Sequence, residues 1–323
     1  MAPVGWPAKG GLVSGSERRA DELQEAARPR PRRGPDALAL GAFAALVVLI
    51  AANVVAIRFT NRELPPLWGG GTRFGLAGLI FASYVSARRL SLPRGRALAG
   101  SLLFGVLQFG LGFALGYWAL LEVPAGLASI ILASVPIFTF VFAVIARVEP
   151  FRVRSLIGAV VAVSGIALMF GERAGGDIPF LYLLAAVGTA ASFALVPVVI
   201  KAFPAVPVAV NNAIGMLTGA VILLTLSRVT GESIKVPELP ATWLAQLYLV
   251  VPGSVGVFGL LLFVLGRWTA TAVSYQTVLS PIVSIALAAW LLGEAVTQGL
   301  FLGGALVLTG VYVGALAPDR EPG

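Results

Sequence analysis

Ten stretches of the chain run without a single charged residue: Ala37–Ile57, Phe74–Ala87, Ala97–Leu121, Val123–Ala146, Ser155–Gly171, Ile178–Ile200, Ala202–Ser227, Leu239–Gly266, Trp268–Gly293 and Ala295–Pro318. Most reach the ~20 residues that a helix needs to cross roughly 30 Å of hydrocarbon. Apolar residues occupy all sides of these stretches rather than every second position. A barrel would show alternating segments of about ten residues, so helices are the reading that satisfies the backbone in lipid. The second stretch is short unless Arg73 belongs to it. A helix that starts near Pro66 takes Arg73 in, since a proline in the first turn forfeits no hydrogen bond. The pattern predicts an all-α membrane fold with ten transmembrane helices.

One motif in this pattern occurs twice. Pro136 stands in the middle of an apolar run and Glu149 follows thirteen positions later; Pro281 and Glu294 repeat the spacing 145 positions further on. The same offset aligns Ala125 with Ala270, Ser129 with Ser274, Ile137 with Ile282, Ala143 with Ala288, Gly158 with Gly303 and Gly165 with Gly310. The repeats would occupy residues 37–171 and 178–318, each with five spans. Five is odd, so the second copy enters the membrane from the opposite side. Inverted repeats of this kind underlie secondary transporters, whose halves rock about a site near the midplane. A duplication without transport is the competing explanation.

Composition and charge narrow the picture. Hydrophobic residues make up 58% of the 323 positions and charged ones 12%, more apolar surface than a soluble core of this size hides. Residues 1–36 differ in kind: Lys9 and Arg18, Arg19, Arg28, Arg30, Arg32 and Arg33 lie among prolines and small polar residues, which reads as a disordered basic tail. No secretory signal is expected there, because the first apolar run begins only at Ala37 and continues into a span. With the tail in the cytoplasm, Arg88, Arg89, Arg94, Arg96, Arg147, Arg152, Arg154, Lys201, Arg267 and Arg320 fall on the same side. Arg58, Arg62, Arg73, Arg173, Arg228 and Lys235 fall toward the other. This asymmetry predicts two cytoplasmic termini and accounts for the net charge of +8 through topology and anionic lipid rather than nucleic acid.

"ANVVAIRF" (52–59), "TRFGLAGLI" (72–80), "PAGLASIILASVPIFTFVFAVIARVEP" (124–150) and "ATAVSYQTVLSPIVSIALAAWLLGEAVTQGLFLGGALVLTGVYV" (270–313) resemble the two EamA domains of the drug/metabolite transporter superfamily. The first half departs from that pattern in "RVEP", where Gly293-Glu294 of the second half keeps a Gly-Glu pair. The resemblance implies ten helices, cytoplasmic termini and the export or uptake of small metabolites such as amino acids, nucleosides or drugs. It also implies a cavity built by the third and ninth spans.

Candidate chemistry is sparse. Pro136 and Pro281 each free a carbonyl one turn back, at Leu132 and Thr277, and are expected to kink helices that line a central site. Polar or aromatic residues near mid-span are the candidates for substrate contact: Asn53, Gln108, Tyr117, Trp118, Ser129, Ser274, Tyr275 and Gln276. Trp118 and Tyr117 fit an interfacial aromatic belt equally well. Arg73 either reaches back to the interface or faces the cavity, where its planar fork would grip a carboxylate. Glu149 and Glu294 read as helix caps or loop contacts with basic neighbours. Paired glycines, Gly71/Gly75, Gly112/Gly116, Gly215/Gly219, Gly299/Gly303 and Gly310/Gly314, mark close helix contacts.

The chain has no histidine and no cysteine, and its spans hold no acidic residue, which removes the usual enzymatic constellations, metal sites and cofactors. We expect no catalytic residue and no bound metal. The expected function is a secondary transporter for a small molecule, working by alternating access in the plasma (inner) membrane as a monomer among lipids. A passive channel or a non-transporting receptor is the alternative. No membrane-embedded acidic residue is evident beyond Glu122, near a helix end, so exchange or facilitated movement is expected ahead of proton coupling.

Overall fold

The computed structural model describes residues 37–145, 153–173, 178–265, 267–268, 273 and 276–316. Chain contacts separate Met1–Leu40 from Gly41–Gly323, and the packing below is that of the second unit. Among the described residues there is no strand. The described residues form ten helical rods in succession: α1 (Ala37–Thr60), α2 (Pro66–Ala87), α3 (Arg96–Ala119), α4 (Ala125–Ala133, then Val135–Ile145), α5 (Val153–Arg173), α6 (Phe180–Ala202), α7 (Val208–Val229), α8 (Pro240–Val250 continuing to Val257–Leu265), α9 (Gln276–Leu292) and α10 (Gln298–Val311).

Six of the described helices, α1, α3, α4, α6, α7 and α8, are both long and apolar enough to cross a membrane. The second helix begins at Pro66 as expected, with Pro65 as its N-cap, but five glycines between Gly69 and Gly78 dilute its apolarity. The described parts of α9 and α10 are shorter, at 17 and 14 residues. Three rods change pitch. Wider π-helical turns occupy Val106–Gly112 in α3, Val251–Gly256 in α8 and Tyr312–Leu316 after α10. In α8 the cause is legible, since Pro252 has no N–H to continue the ladder.

Pro136 and Pro281 behave differently. The first interrupts α4, whose regular turns stop at Ser134, where the N–H bonds the Ile131 carbonyl one residue early at 3.1 Å. Pro281 sits inside α9 without breaking it. Ser280 supports that turn by donating its hydroxyl to the Gln276 carbonyl at 2.7 Å.

Glycines set how the rods meet. A methyl group at Gly158 of α5 would lie 2.5 Å from the Gly310 carbonyl of α10, and one at Gly165 would lie 2.5 Å from the Gly303 carbonyl. Only glycine permits backbones this close. The order of contacts reverses along the two helices, so they are antiparallel. Residues equivalent by the 145-residue offset exchange partners, 158 with 310 and 165 with 303, which is the signature of a two-fold relation. Helices α2 and α7 repeat the arrangement. Gly71 packs on Leu224, Gly75 on Ala220 and Gly78 on Leu217, again in reversed order.

The α2–α7 contact yields a direct test. A Cβ at Gly75 would stand 3.8 Å from the Ala220 Cβ, at the mean separation of about 3.8 Å for disulfides. Gly75→Cys with Ala220→Cys in this cysteine-free chain should therefore form a disulfide under mild oxidant. Mass spectrometry of the linked peptides will detect it, and a failure to link would mean that α2 and α7 do not pack in this register.

Candidate functional site

A cavity of about 150 Å³ lies between α1, α3, α4 and α6. Its walls are Ile50, Val54 and Ile57 of α1, Phe113 and Gly116 of α3, Ala128 and Leu132 of α4, and Ala186, Thr189 and Phe193 of α6, with Asn53 among them. A second chamber of about 110 Å³ adjoins it, sharing Ile50, Val54 and Leu132 and reaching Ser129, Gln276, Ser280 and Pro281. Leu132, whose carbonyl Pro136 was expected to free, borders both chambers. No charged side chain appears among the described lining residues. Such walls suit an apolar body that carries few polar groups.

The charge sits one layer back. Arg73 of α2 is 2% exposed and does not turn to the interface. Its Nε donates to Ser254 Oγ at 3.1 Å, one terminal nitrogen to the Gly253 carbonyl at 3.2 Å, and the other to the Tyr117 hydroxyl at 3.5 Å. The guanidinium also stands 4.8 Å from the Phe74 ring centroid and 5.4 Å from that of Phe113. Buried cations are costly unless charge-assisted hydrogen bonds and π faces replace water. All of the partners named here are neutral. Phe113 both touches the guanidinium and lines the first chamber, so a single ring joins the cation to the cavity wall.

The local sequence explains the acceptors. The π-helical turn after Pro252 presents the Gly253 carbonyl to two donors, Arg73 and, at 2.9 Å, the Asn53 amide. Because Asn53 Nδ2 must face that carbonyl, its Oδ1 is left buried without a partner. Gly253 is glycine for steric reasons: a Cβ there would collide with Asn53 Oδ1. Gln246, two turns earlier, ties α8 to α2 through the Gly69 carbonyl at 2.9 Å and Thr72 Oγ1 at 3.0 Å.

The sequence candidates thus scatter. Asn53 lines the first chamber; Ser129, Gln276 and Pro281 line the second, where Gln276 Oε1 is buried and unpaired. Tyr117 is fully buried against Arg73 rather than in the wall. Trp118 lies outside both chambers, 4.9 Å from the Tyr182 ring and beside Glu232 in a separate groove, as an interfacial aromatic would. Gln108 falls in the π-helical turn of α3 and is not among the lining residues of either chamber. Ser274, Tyr275 and Glu149 lie outside the described residues. Phe113, Thr189 and Phe193 belong to the wall although nothing in their local sequence separates them from lipid-facing neighbours. The Pro252-Gly253-Ser254 triplet was the available signal for the Arg73 acceptors, as a helix-breaking pair in mid-span.

Apolar rods packed through glycine around an internal cavity define a multi-pass α-helical membrane protein. The family model of the EamA-like transporter family matches residues 38–171 and again 180–315, and the chain belongs to that family. Among its relatives is the uncharacterized inner membrane transporter YedA of Escherichia coli K12, 28% identical over 80% of this chain and 84% of that protein. A probable amino-acid metabolite efflux pump of the same strain is 26% identical over 84% of this chain and 93% of its own length. The uncharacterized transporter YvbV of Bacillus subtilis is 26% identical over 82% and 88%. A protein of known crystal structure matches with a TM-score of 0.61 at 20% identity, over 87% of this chain and 98% of its own, a likeness of fold. The family is one of transporters, not enzymes.

The Gly253 contact makes a stability prediction. Gly253→Ala should cost roughly 1–3 kcal/mol through forced displacement of Asn53. Gly256→Ala, whose nearest neighbour would be 3.6 Å away, should be close to neutral. Thermal unfolding in detergent compares the two, and equal midpoints would show that Gly253 has no packing role.

Proposed function

We propose that this protein is a secondary transporter that carries a small metabolite across the inner membrane by alternating access. Its ten helices form two inverted five-helix repeats, residues 37–171 and 178–318, and residues 1–36 are a cytoplasmic tail. The observation that carries this reading is the two-fold exchange of contacts between α5 and α10, with α2 and α7 packed in the same antiparallel sense. Halves related in that way can present one cavity to either side with equivalent packing. Both termini then face the cytoplasm, in line with the distribution of arginines.

The substrate bears a carboxylate, and amino acids are the first candidates. Support comes from Arg73, a buried cation with neutral partners close to an apolar cavity, and from the relative described as a probable amino-acid metabolite efflux pump. A turn of the Phe113 ring would open the guanidinium to the chamber, and its planar fork would bind the carboxylate in two places. Membrane lipid surrounds the protein, and a single copy forms the whole pathway. Movement follows a substrate gradient by exchange or facilitated flow, because the charge-free stretches hold no carboxylate for proton coupling, for which Glu122 near a helix end is the alternative.

Arg73→Lys keeps the charge but loses the fork. It should retain surface expression and lose at least about tenfold in transport of labelled amino acids into everted vesicles, since one lost charge-assisted contact is worth on the order of 1.4 kcal/mol or more. Full activity, or equal transport of an uncharged analogue, would remove the carboxylate from the proposal. Topology is tested separately. Cysteines placed at Glu149 and Glu294 should label from opposite sides of the membrane, and labelling from one side would refute the inverted repeat.

A further inference from the structure

Three carboxylates at one face of the bundle bind the first helical turns of rods in the other half of the chain. Glu294, after α9, accepts from the Ala125 and Gly126 N–H groups of α4 at 3.0 and 3.3 Å. Glu232, after α7, accepts from Leu67 and Trp68 of α2 at 3.1 and 2.9 Å. Glu63, after α1, accepts from Glu238 and Leu239 at the start of α8. The Thr242 hydroxyl and the Glu238 N–H hold the Glu63 carboxyl below its ordinary value, so that clasp stays ionised. A carboxylate is well placed at the positive end of a helix.

The Glu294 clasp differs from the others because it also carries an ion pair. Arg58 Nε lies 2.8 Å from Glu294 Oε1, with side chains 24% and 14% exposed. The same guanidinium donates to the carbonyls of Leu120 at 3.2 Å and Val123 at 2.9 Å, so it also holds the turn between α3 and α4. Asn61 adds a bond to the Tyr117 carbonyl at 2.8 Å. Ile57, next to Arg58, and Leu120 both line the first chamber. The pair therefore stands over one end of the cavity and joins α1, the α3–α4 turn and the α9–α10 loop.

We infer that Arg58 and Glu294 form the gate that closes the cavity toward the Glu294 face, and that parting this pair is the step that opens it. The inference rests on the alternating-access reading above. A half-buried pair suits a gate, since its attraction is large enough to bias two states and small enough to break within a transport cycle. The covalent ends of α4 and α9 stay in place when it parts; what is lost is the cap on α4 and the fastening between halves.

The test uses the full chain in sealed vesicles of either orientation and a membrane-impermeant maleimide as probe. Thr189→Cys, on the cavity wall in α6 and away from the clasp, reports access. Glu294→Gln keeps one acceptor for the two α4 N–H groups and removes the ion pair; Arg58→Gln removes it from the other side. Each should raise labelling from the Glu294 face about fivefold, the shift that loss of a half-buried pair produces, and lower it from the opposite face. A rise without that fall would uphold the gate and overturn alternating access. Unchanged labelling in both variants, each still monodisperse by size-exclusion chromatography, would overturn the gate and leave the transport reading intact.

Discussion

A guanidinium enclosed by apolar helices has to be met by acceptors that the protein itself supplies, and much of this structure follows from that demand at Arg73. Its partners come from two other rods, Tyr117 of α3 and Gly253 and Ser254 of α8. To offer the Gly253 carbonyl, α8 widens its pitch behind Pro252; to let Asn53 approach the same carbonyl, position 253 must lack a side chain. The rings of Phe74 and Phe113 flank the cation with centroids 4.6 Å apart, and Phe109 packs against both rings. One charge thus fastens α2 to α8 across the halves and sets the inner surface of α3.

Packing and fastening are divided unevenly over the molecule. Glycine contacts run along α2–α7 and α5–α10 and bring backbones together. Dispersion holds much of these surfaces, and beside Gly158 the Ser155 hydroxyl also donates to the Gly314 carbonyl at 2.7 Å. Directional contacts between halves occur in mid-bundle, where Arg73 and Asn53 bind the Gly253 carbonyl, and at the face that carries Glu63, Glu232 and Glu294.

The cavity fits between these two systems. Its walls come mostly from α1, α3, α4 and α6, while α9 contributes Gln276, Ser280 and Pro281 to the second chamber. The two repeats therefore make unequal contributions to the described walls, and the repeated prolines share that inequality. Pro136 breaks α4, whereas Pro281 is absorbed within α9 beside a serine that bonds back to Gln276.

The rods and the family membership follow from the sequence alone, because a lipid solvent demands long apolar helices and because a repeated spacing is a linear property. The start of α2 at Pro66 was legible for the same local reason, a proline ahead of an apolar run. The helix-capping role of Glu294 could be expected from its place at a span end, but not its partner, since α4 begins 169 residues earlier in the chain. Tertiary structure alone decided which side of each helix faces the cavity. In lipid both surfaces are apolar, so Phe113 and Phe193 carry no hydrophobic pattern that separates wall from exterior. It also decided the place of Arg73, one ring behind the wall, because a buried charge is stabilised by acceptors from distant segments whose convergence no local pattern encodes.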